Sequence, residues 1–507
     1  MSRNELIDAA VKEALDAVED PYVFQSPIKH IAVIGAGPVG LVSTKTLLDR
    51  GLHVKTFERH QDLGGQWLYS DKVSSNPITC KTGVSPEAPL KNGTRWTPEV
   101  EKALVEVIPP SAIYRDLFTN LISPLMELRD FPWPKDTPLY LSHTKVHQYY
   151  RAYADQFGLD RHIMYNTSVE QVTKLTGSGW KLNLKRYERV DDTLRIHEWE
   201  ETFDAVVMAT GAHQQASIPE FKDLEAFTRL FPERVLHAKQ YKLVDPFTRK
   251  NVLLVGGHVS ACDLSKHLYC QAKKVYMSFR GPFQLKSRVF NLHRSTIPET
   301  TIFKPNIAHF SDKNGNINGA ITFEDGTTVD DVDFIIFCTG YMYNPKPLAS
   351  LVSDVPQPDK VWKSKTHVLN AYQLIFWIPD PTLAFVGAPP HLATTQFFNL
   401  QAETLARVWA DKAKLPSQLS MQKYTDNRRP PCSPDDFEFH GEKQRQLGLI
   451  VWLNEHNRLL GHDEPELKEM GDHFEELLKD AARTWKEDSM AMLKAIRERK
   501  SLPSAKL

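Results

Sequence analysis

An α/β fold carrying two parallel βαβ units, followed by a helical C-terminal extension, is what this sequence predicts. Three observations carry that expectation. From His30 to Glu58 an apolar run leads into a glycine turn, a helical pattern and a second apolar run. The same order recurs from Asn251 to Arg280. Beyond about residue 430 the chain turns charged and helix-forming, with no further strand pattern.

The chain's 507 residues are enough for two or three domains. Its formal net charge of -1 gives no reason to expect nucleic acid or an anionic membrane as a main partner. No apolar run reaches the ~18 residues of a membrane span. The N-terminal segment reads as an acidic amphipathic helix whose stripe of Ile7, Val11, Leu15 and Val18 should dock on the body. Cys80, Cys262, Cys270, Cys338 and Cys432 form no C-x-x-C pair and no metal spacing, which predicts free thiols in a reducing, cytoplasmic setting. The last three residues, A-K-L, resemble the S-K-L peroxisomal address. Two readings of the tail stay open, an address or a frayed charged end.

The first unit is the more complete. Ile31 to Ile34 reads as a buried parallel strand, Val39 to Arg50 as a helix closed by Gly51, and Leu52 to Phe57 as a second strand. Gly35, Gly37 and Gly40 are spaced G-x-G-x-x-G, with Pro38 inside the turn. Such spacing permits a tight turn, a close approach of pyrophosphate to bare backbone, and close packing of helix on strand. Glu58 ends the second strand, where a carboxylate can accept bonds from ribose hydroxyls. The motif alone does not separate FAD from NAD.

Close behind come Gly64, Gly65, Gln66 and Trp67, a second backbone approach beside a flat apolar wall. Residues 71–112 read as loops. Asn120 lies in the apolar segment from Tyr114 to Pro134, where its amide either caps a turn or faces a ligand; sequence physics alone favours the cap. Leu141 to Phe157 reads as a helix, and Val169 to Leu175 with Trp180 to Tyr187 as a hairpin. Phe203 to Gly211 is a buried strand ending in the small-residue turn Ala209-Thr210-Gly211.

In the second unit Gly256 keeps the first glycine, while His258 and Ala261 stand at the second and third. Gly256 and Ser260 are its candidate contacts. Glu58 follows Gly35 by 23 positions and Arg280 follows Gly256 by 24, which puts Arg280 in the place of the ribose acid. An arginine there would suit a 2′-phosphate; the alternative is an ordinary exposed arginine at a strand end. His258 places a side chain where pyrophosphate should approach, so a weakened or altered site is a second reading. The chain returns through Val332 to Tyr341, with Thr339 and Gly340 in a second small-residue turn, then Pro381 to Gly387 and an amphipathic helix from Gln396 to Trp409. Glu466 to Lys500 reads as a peripheral extension.

Together these landmarks resemble the flavin-containing monooxygenases, in a divergent, fungal-looking form, over about residues 30–417. The family's F-x-G-x-x-x-H-x-x-x-Y motif is matched by Phe231, His237 and Tyr241, with Glu233 in place of its glycine and Ala216 in place of an earlier proline. Tyr241, where related Baeyer–Villiger enzymes have Trp, favours the heteroatom-oxygenating branch. The resemblance implies two Rossmann-type domains: FAD-binding over 1–214 and 328–430, NADPH-binding over 215–327, and a helical extension over 431–507. It implies FAD and NADPH as cofactors, and transfer of one oxygen atom from O2, through a flavin C4a-hydroperoxide, to a nucleophilic N or S of a small molecule. It also makes Asn120 a catalytic residue beside the flavin, against the cap. The competing expectation is a flavoprotein oxidase or a non-catalytic flavin-binding protein with a degenerate NADPH site. A homodimer is compatible with the family.

Overall fold

The computed structural model describes residues 2–75, 77, 90–269, 271–365, 367–387, 394–427, 439–469 and 473–501. The A-K-L tail, Cys80, Cys270 and Cys432 lie outside them; Cys262 and Cys338 are buried free thiols.

Two parallel sheets organise the chain. The first has seven strands. His30–Ile34 is central, paired in parallel with His53–Phe57 on one side and Ala205–Met208 on the other; Ile163–Met164 and Leu383–Phe385 extend the parallel order outward. Ala371–Tyr372 and Phe376–Trp377 add an antiparallel edge. Its central strands are apolar on both faces, as a parallel sheet covered by helices requires. Helices Pro38–Asp49 and Thr395–Trp409 pack together on one face.

The second sheet has five strands, all parallel: Ile302–Lys304, Lys274–Ser278, Asn251–Val255, Phe334–Phe337 and Val235–His237. Phe334–Phe337 thus corrects the expected boundary at residue 327. That strand belongs to the inserted sheet, and the chain crosses back only after it. At the crossing, Tyr341–Met342 pairs antiparallel with Gln215–Ala216, so the outgoing and returning chains are stitched together. An antiparallel meander hangs from the first unit: the expected hairpin, Thr167–Lys174 with Trp180–Val190, gains a third strand at Thr193–Phe203.

Three further expectations change. The region read as loops holds a helix, Pro98–Val107, with Thr97 as N-cap, Pro98 opening the helix, and Glu99 and Glu101 in the first turn. Those start signals were in the sequence. The N-terminal helix Arg3–Glu19 docks through Leu6, Ala10, Ala14 and Ala17 rather than the bulkier stripe, and Leu15 is exposed. It packs on helix Phe439–Leu460, where small alanines let the two backbones approach closely. The C-terminal region is not peripheral either. Trp452 and Leu453 of Phe439–Leu460 are fully buried in the first domain's core. In helix His473–Ser501, Trp485 is 5% exposed, with its ring centroid 4.9 Å from Tyr140 of the first domain and 5.2 Å from His293 of the second. Propensity places such helices; only packing says which face they bury.

Candidate active site

The C-terminal edge of the first sheet carries the first glycine loop. Gly35 has φ +104°, and a Cβ there would lie 2.7 Å from the Ala209 carbonyl oxygen. A Cβ on Gly40 would lie 1.8 Å from the Gly35 carbonyl oxygen, so the helix can sit this close to the strand only without a side chain. Gly37 is different: its φ is −73°, and its missing Cβ would meet only the Gly65 Cα at 3.5 Å. Gly65 at φ +53° approaches in return, its own missing Cβ 2.8 Å from the Gly37 Cα. The two glycine turns therefore lie backbone to backbone. The bareness of Gly65 is taken up by Gly37, a protein contact that its expected cofactor role did not include. Gln66 is exposed, and Trp67 is partly buried against the cluster that contains Ala36.

Helix Pro38–Asp49 starts with no side-chain cap and with Pro38 in its first turn, and the N–H groups of Val39 and Gly40 find no acceptor among the described residues. This bare N-terminus is a ready anion site. Glu58 is buried; its Oε2 accepts from the Ala36 N–H at 2.8 Å and its Oε1 from the His60 N–H at 2.9 Å. Burial pushes this carboxyl up, but the contacts with His60 and the Ala36 N–H outweigh it and hold it below the usual value. It is ionised at neutral pH and retains lone pairs for ribose hydroxyls. The buried Thr210 hydroxyl faces the buried phenol of Tyr343. Gly211, at φ +69°, has open space where a Cβ would stand. A bare cradle, a free helix terminus and an ionised acid fit a dinucleotide such as FAD.

Asn120 stands on the adjoining segment and is exposed. Its side chain makes no hydrogen bond among the described residues, so the turn-cap role that sequence physics favoured is absent there. The backbone around it is nonetheless pinned. Thr119 exchanges bonds with Leu141, its N–H donating at 2.8 Å and its hydroxyl accepting at 3.0 Å, and the Ser123 N–H donates to Leu139. Leu121, next in the chain, packs in the same cluster as Ala36 and Trp67.

The second loop keeps the turn and changes its surroundings. Gly256 has φ +125°, its missing Cβ 2.4 Å from the Cys338 carbonyl oxygen, as Gly35 is to Ala209. His258 is exposed and sets its ring edge-on to Phe290 at 4.7 Å. The Ser260 hydroxyl has no partner among the described residues. Register corrects the placing of Arg280. The Gly35 N–H bonds to Phe57 and the Gly256 N–H to Ser278, so the position of Glu58 falls to Phe279 and Arg280 matches Arg59. The count from glycine to acid misled by one residue, because strand pairing and not chain length sets equivalence. A phenyl ring thus stands where an acid would accept ribose hydroxyls and repel a 2′-phosphate. Arg280 beside it is exposed. Buried Arg294 lies 4.7 Å over the Phe279 ring and donates from Nε to the Gly257 carbonyl at 2.8 Å; the missing Cβ of Gly257 leaves room for both.

The connecting motif turns out to be a clasp. His237 is fully buried, its Nδ1 accepts from the Lys239 N–H at 3.1 Å, and its Nε2 therefore donates to the Gly340 carbonyl at 3.1 Å. Burial lowers its pKa to about 4, so the ring is neutral. Glu233 keeps a negative φ and an exposed side chain, so the family's glycine is not needed there. Thr339, expected to touch cofactor, commits its hydroxyl to the Ser217 carbonyl, and Gly340 is engaged by both His237 and the Ser217 N–H.

Sequence reasoning missed the basic residues behind this clasp, although Lys239 lies inside the quoted motif. Lys239 donates to the Gln214 carbonyl at 2.6 Å. Burial first, then the neighbouring charges of Arg59, Lys242 and Lys346, lower its pKa to about 7. Because the folded value lies below the unfolded one, the unfolded chain binds more protons between about pH 7 and 10.5, and stability rises with pH across that window. The difference in melting temperature between wild type and Lys239→Met, measured from pH 6 to 10 and written as wild type minus variant, should therefore climb with pH. A flat difference would mean that the amine stays charged in the folded protein.

A family model described as flavin-binding monooxygenase-like matches residues 28–82, 109–314 and 291–472. The flavin-containing monooxygenase iboF of Amanita muscaria (strain Koide BX008) is 29% identical over 481 residues, covering 86% of this chain and 90% of its own. The flavin-containing monooxygenase ustF2 of Aspergillus flavus is 28% identical over 425 residues, covering 78% and 84%. Among solved structures, Tmm from Pelagibacter sp. strain HTCC7211 superposes with TM-score 0.65 at 20% identity over 90% of both chains. S-allyl-L-cysteine S-oxygenase from Allium sativum does so with TM-score 0.64 at 22% identity, over 91% of this chain and 99% of that one. At these identities the structural matches speak to the fold alone.

Proposed function

Because the chain belongs to the flavin-binding monooxygenase-like family, whose members use FAD with NADPH as reductant, we propose that it transfers one oxygen atom of O2 to a nucleophilic nitrogen or sulfur of a small molecule. The observation that carries this reading is Asn120: an exposed amide with no partner among the described residues, on a pinned backbone, preceding Leu121, which packs on the same cluster as Trp67. Tyr241 supports the heteroatom branch.

The bound flavin supplies electron storage and oxygen activation, which no side chain can. The protein binds, orients and shields. The Gly37 turn and the free N–H groups of Val39 and Gly40 take the pyrophosphate, and Glu58 takes the ribose hydroxyls. Thr210 and Gly211 lie where the chain leaves the first sheet. The Asn120 amide holds a hydrogen bond at the reacting face without the acidity that would hand over a proton too early. In the second domain Gly256 and Ser260 hold NADPH, with Phe279 in place of a repelling acid and Arg280 taking the 2′-phosphate. A screen of amines, hydroxylamines and sulfides, reading NADPH oxidation together with product mass, tests the whole reading. Substrate-dependent NADPH use with a product sixteen mass units heavier supports it. NADPH consumed with peroxide as the sole product of every substrate would make the protein an oxidase, and a yellow protein that never consumes NADPH would make it a binding protein.

Arg280 gives a separate prediction. A charge-assisted contact to phosphate contributes on the order of 1.5–3 kcal/mol, roughly 10- to 150-fold in affinity. Arg280→Ala should weaken NADPH by that factor and leave NADH nearly unchanged in the Kd for each. Equal weakening of both would leave Arg280 a structural residue.

A further inference from the structure

The helix His473–Ser501 carries one buried stripe. Leu477, Ala481, Trp485 and Ser489 recur every four residues; the last three are buried, while Arg483 and Glu487 between them are exposed. At 3.6 residues a turn, a four-residue repeat slants around the helix, so one stripe can face two neighbours in succession. Leu477 and Ala481 pack with Ile122 and Leu125, just beyond Asn120 in the first domain. One turn later, Trp485 reaches the second.

Trp485 stands between two stretches of backbone, each tied to a loop of the candidate site. On one side its ring meets Tyr140 edge-on, with centroids 4.9 Å apart. The neighbours of Tyr140 hold the Asn120 segment. The Leu141 carbonyl accepts from the Thr119 N–H at 2.8 Å, and the Leu139 carbonyl from the Ser123 N–H at 2.7 Å. On the other side the ring meets His293 edge-on at 5.2 Å, and the Lys266 Nζ lies 5.6 Å over it. Arg294, next after His293, donates to the Gly257 carbonyl of the second glycine loop at 2.8 Å. Lys266 stands on the helix Val259–Tyr269 that leaves the same loop, and it pairs with Asp263 at 2.9 Å. Edge-to-face rings and a cation over an indole are directional contacts, so they set position as well as bury area. The indole N–H has no partner among the described residues, so the ring acts through its faces and edges.

We propose that Trp485 is a positioning residue for flavin reduction: its ring ties the Asn120 segment to the second domain, and so fixes the second glycine loop and the NADPH it holds against the first. The inference rests on the two-cofactor reading of the loops and not on which substrate is oxygenated.

The test compares wild type, Trp485→Leu and Trp485→Phe as purified holoenzymes. Trp485→Leu keeps apolar bulk without the ring. The rate at which saturating NADPH bleaches the flavin in the absence of oxygen should fall about tenfold. The Kd for NADPH should stay within about twofold, because Gly256, Ser260 and Arg280 are untouched and distant changes act independently of them. Amide exchange over residues 119–123, followed by mass without NADPH, should quicken about tenfold as the segment loosens. Trp485→Phe keeps a ring and gives up no hydrogen bond, so it should recover most of both effects. A loss of stability alone would not separate rate from affinity. If Trp485→Leu does not hold flavin, Tyr140→Leu removes the other ring of the contact and carries the same measurements. An unchanged bleaching rate, a fall matched by equally weakened NADPH binding, or unchanged exchange over residues 119–123 overturns the proposal. A wild-type flavin that NADPH never bleaches would refute the cofactor reading instead, and the exchange comparison then decides whether Trp485 holds the segment.

Discussion

Gly40→Ala yields a colourless, unstable protein, whereas Gly37→Val yields a folded protein that has lost its flavin. Both glycines belong to one motif, yet the structure gives them different work. A Cβ at Gly40 would sit 1.8 Å from a backbone oxygen that cannot move without dismantling the strand–turn–helix junction. Overpacking against side chains costs roughly 1–3 kcal/mol; against backbone at this distance it should exceed about 4 kcal/mol, enough to take most of a domain's stability. Gly37 has an ordinary φ and only a van der Waals neighbour at its missing Cβ. A side chain there spares the fold and obstructs the pyrophosphate. The measurement is melting temperature beside flavin absorbance per chain. Full flavin occupancy in Gly37→Val would place the cofactor elsewhere, and a stable, yellow Gly40→Ala would refute the packing argument.

Asn120→Ala leaves the protein folded and yellow, and diverts its oxygen to hydrogen peroxide. The side chain is exposed and has no bond among the described residues, so its removal should change stability by no more than about 0.5 kcal/mol. What it removes is a neutral donor at the reacting face. One such hydrogen bond is worth about 1.4 kcal/mol, or tenfold in the ratio of oxygen transfer to peroxide release. NADPH should still bleach the flavin at close to the wild-type rate. Product and peroxide formed per NADPH, measured together, decide the matter. Unchanged coupling would remove Asn120 from the chemistry.

The second nucleotide site and the C-terminal helices show where reading from sequence stops. Glu442 had no motif around it, yet it is buried and takes the hydroxyl of Thr394, 48 positions away. Phe279 was passed over because counting from glycine to acid pointed one residue further, and only the pairing of Ser278 with Val255 set the register. Trp485 lay in a stretch read as peripheral, though its ring meets both domains.

Local order was written in the sequence. Glycine spacing, apolar strands and helix start signals act over a few residues, and they placed both βαβ units, the hairpin and Glu58 without reference to the rest of the chain. The family resemblance rested on the same local patterns. Tertiary structure decided what distance along the chain hides. It showed that Gly65 serves Gly37, that Phe334–Phe337 completes the inserted sheet, that Leu6 and three alanines face the core in place of the expected stripe of the first helix, and that Asn120 has no partner among the described residues. The reason is physical. A side chain's role depends on which groups remain unsatisfied around it, and those groups come from segments tens to hundreds of residues away, joined only when burial and strand pairing close the fold.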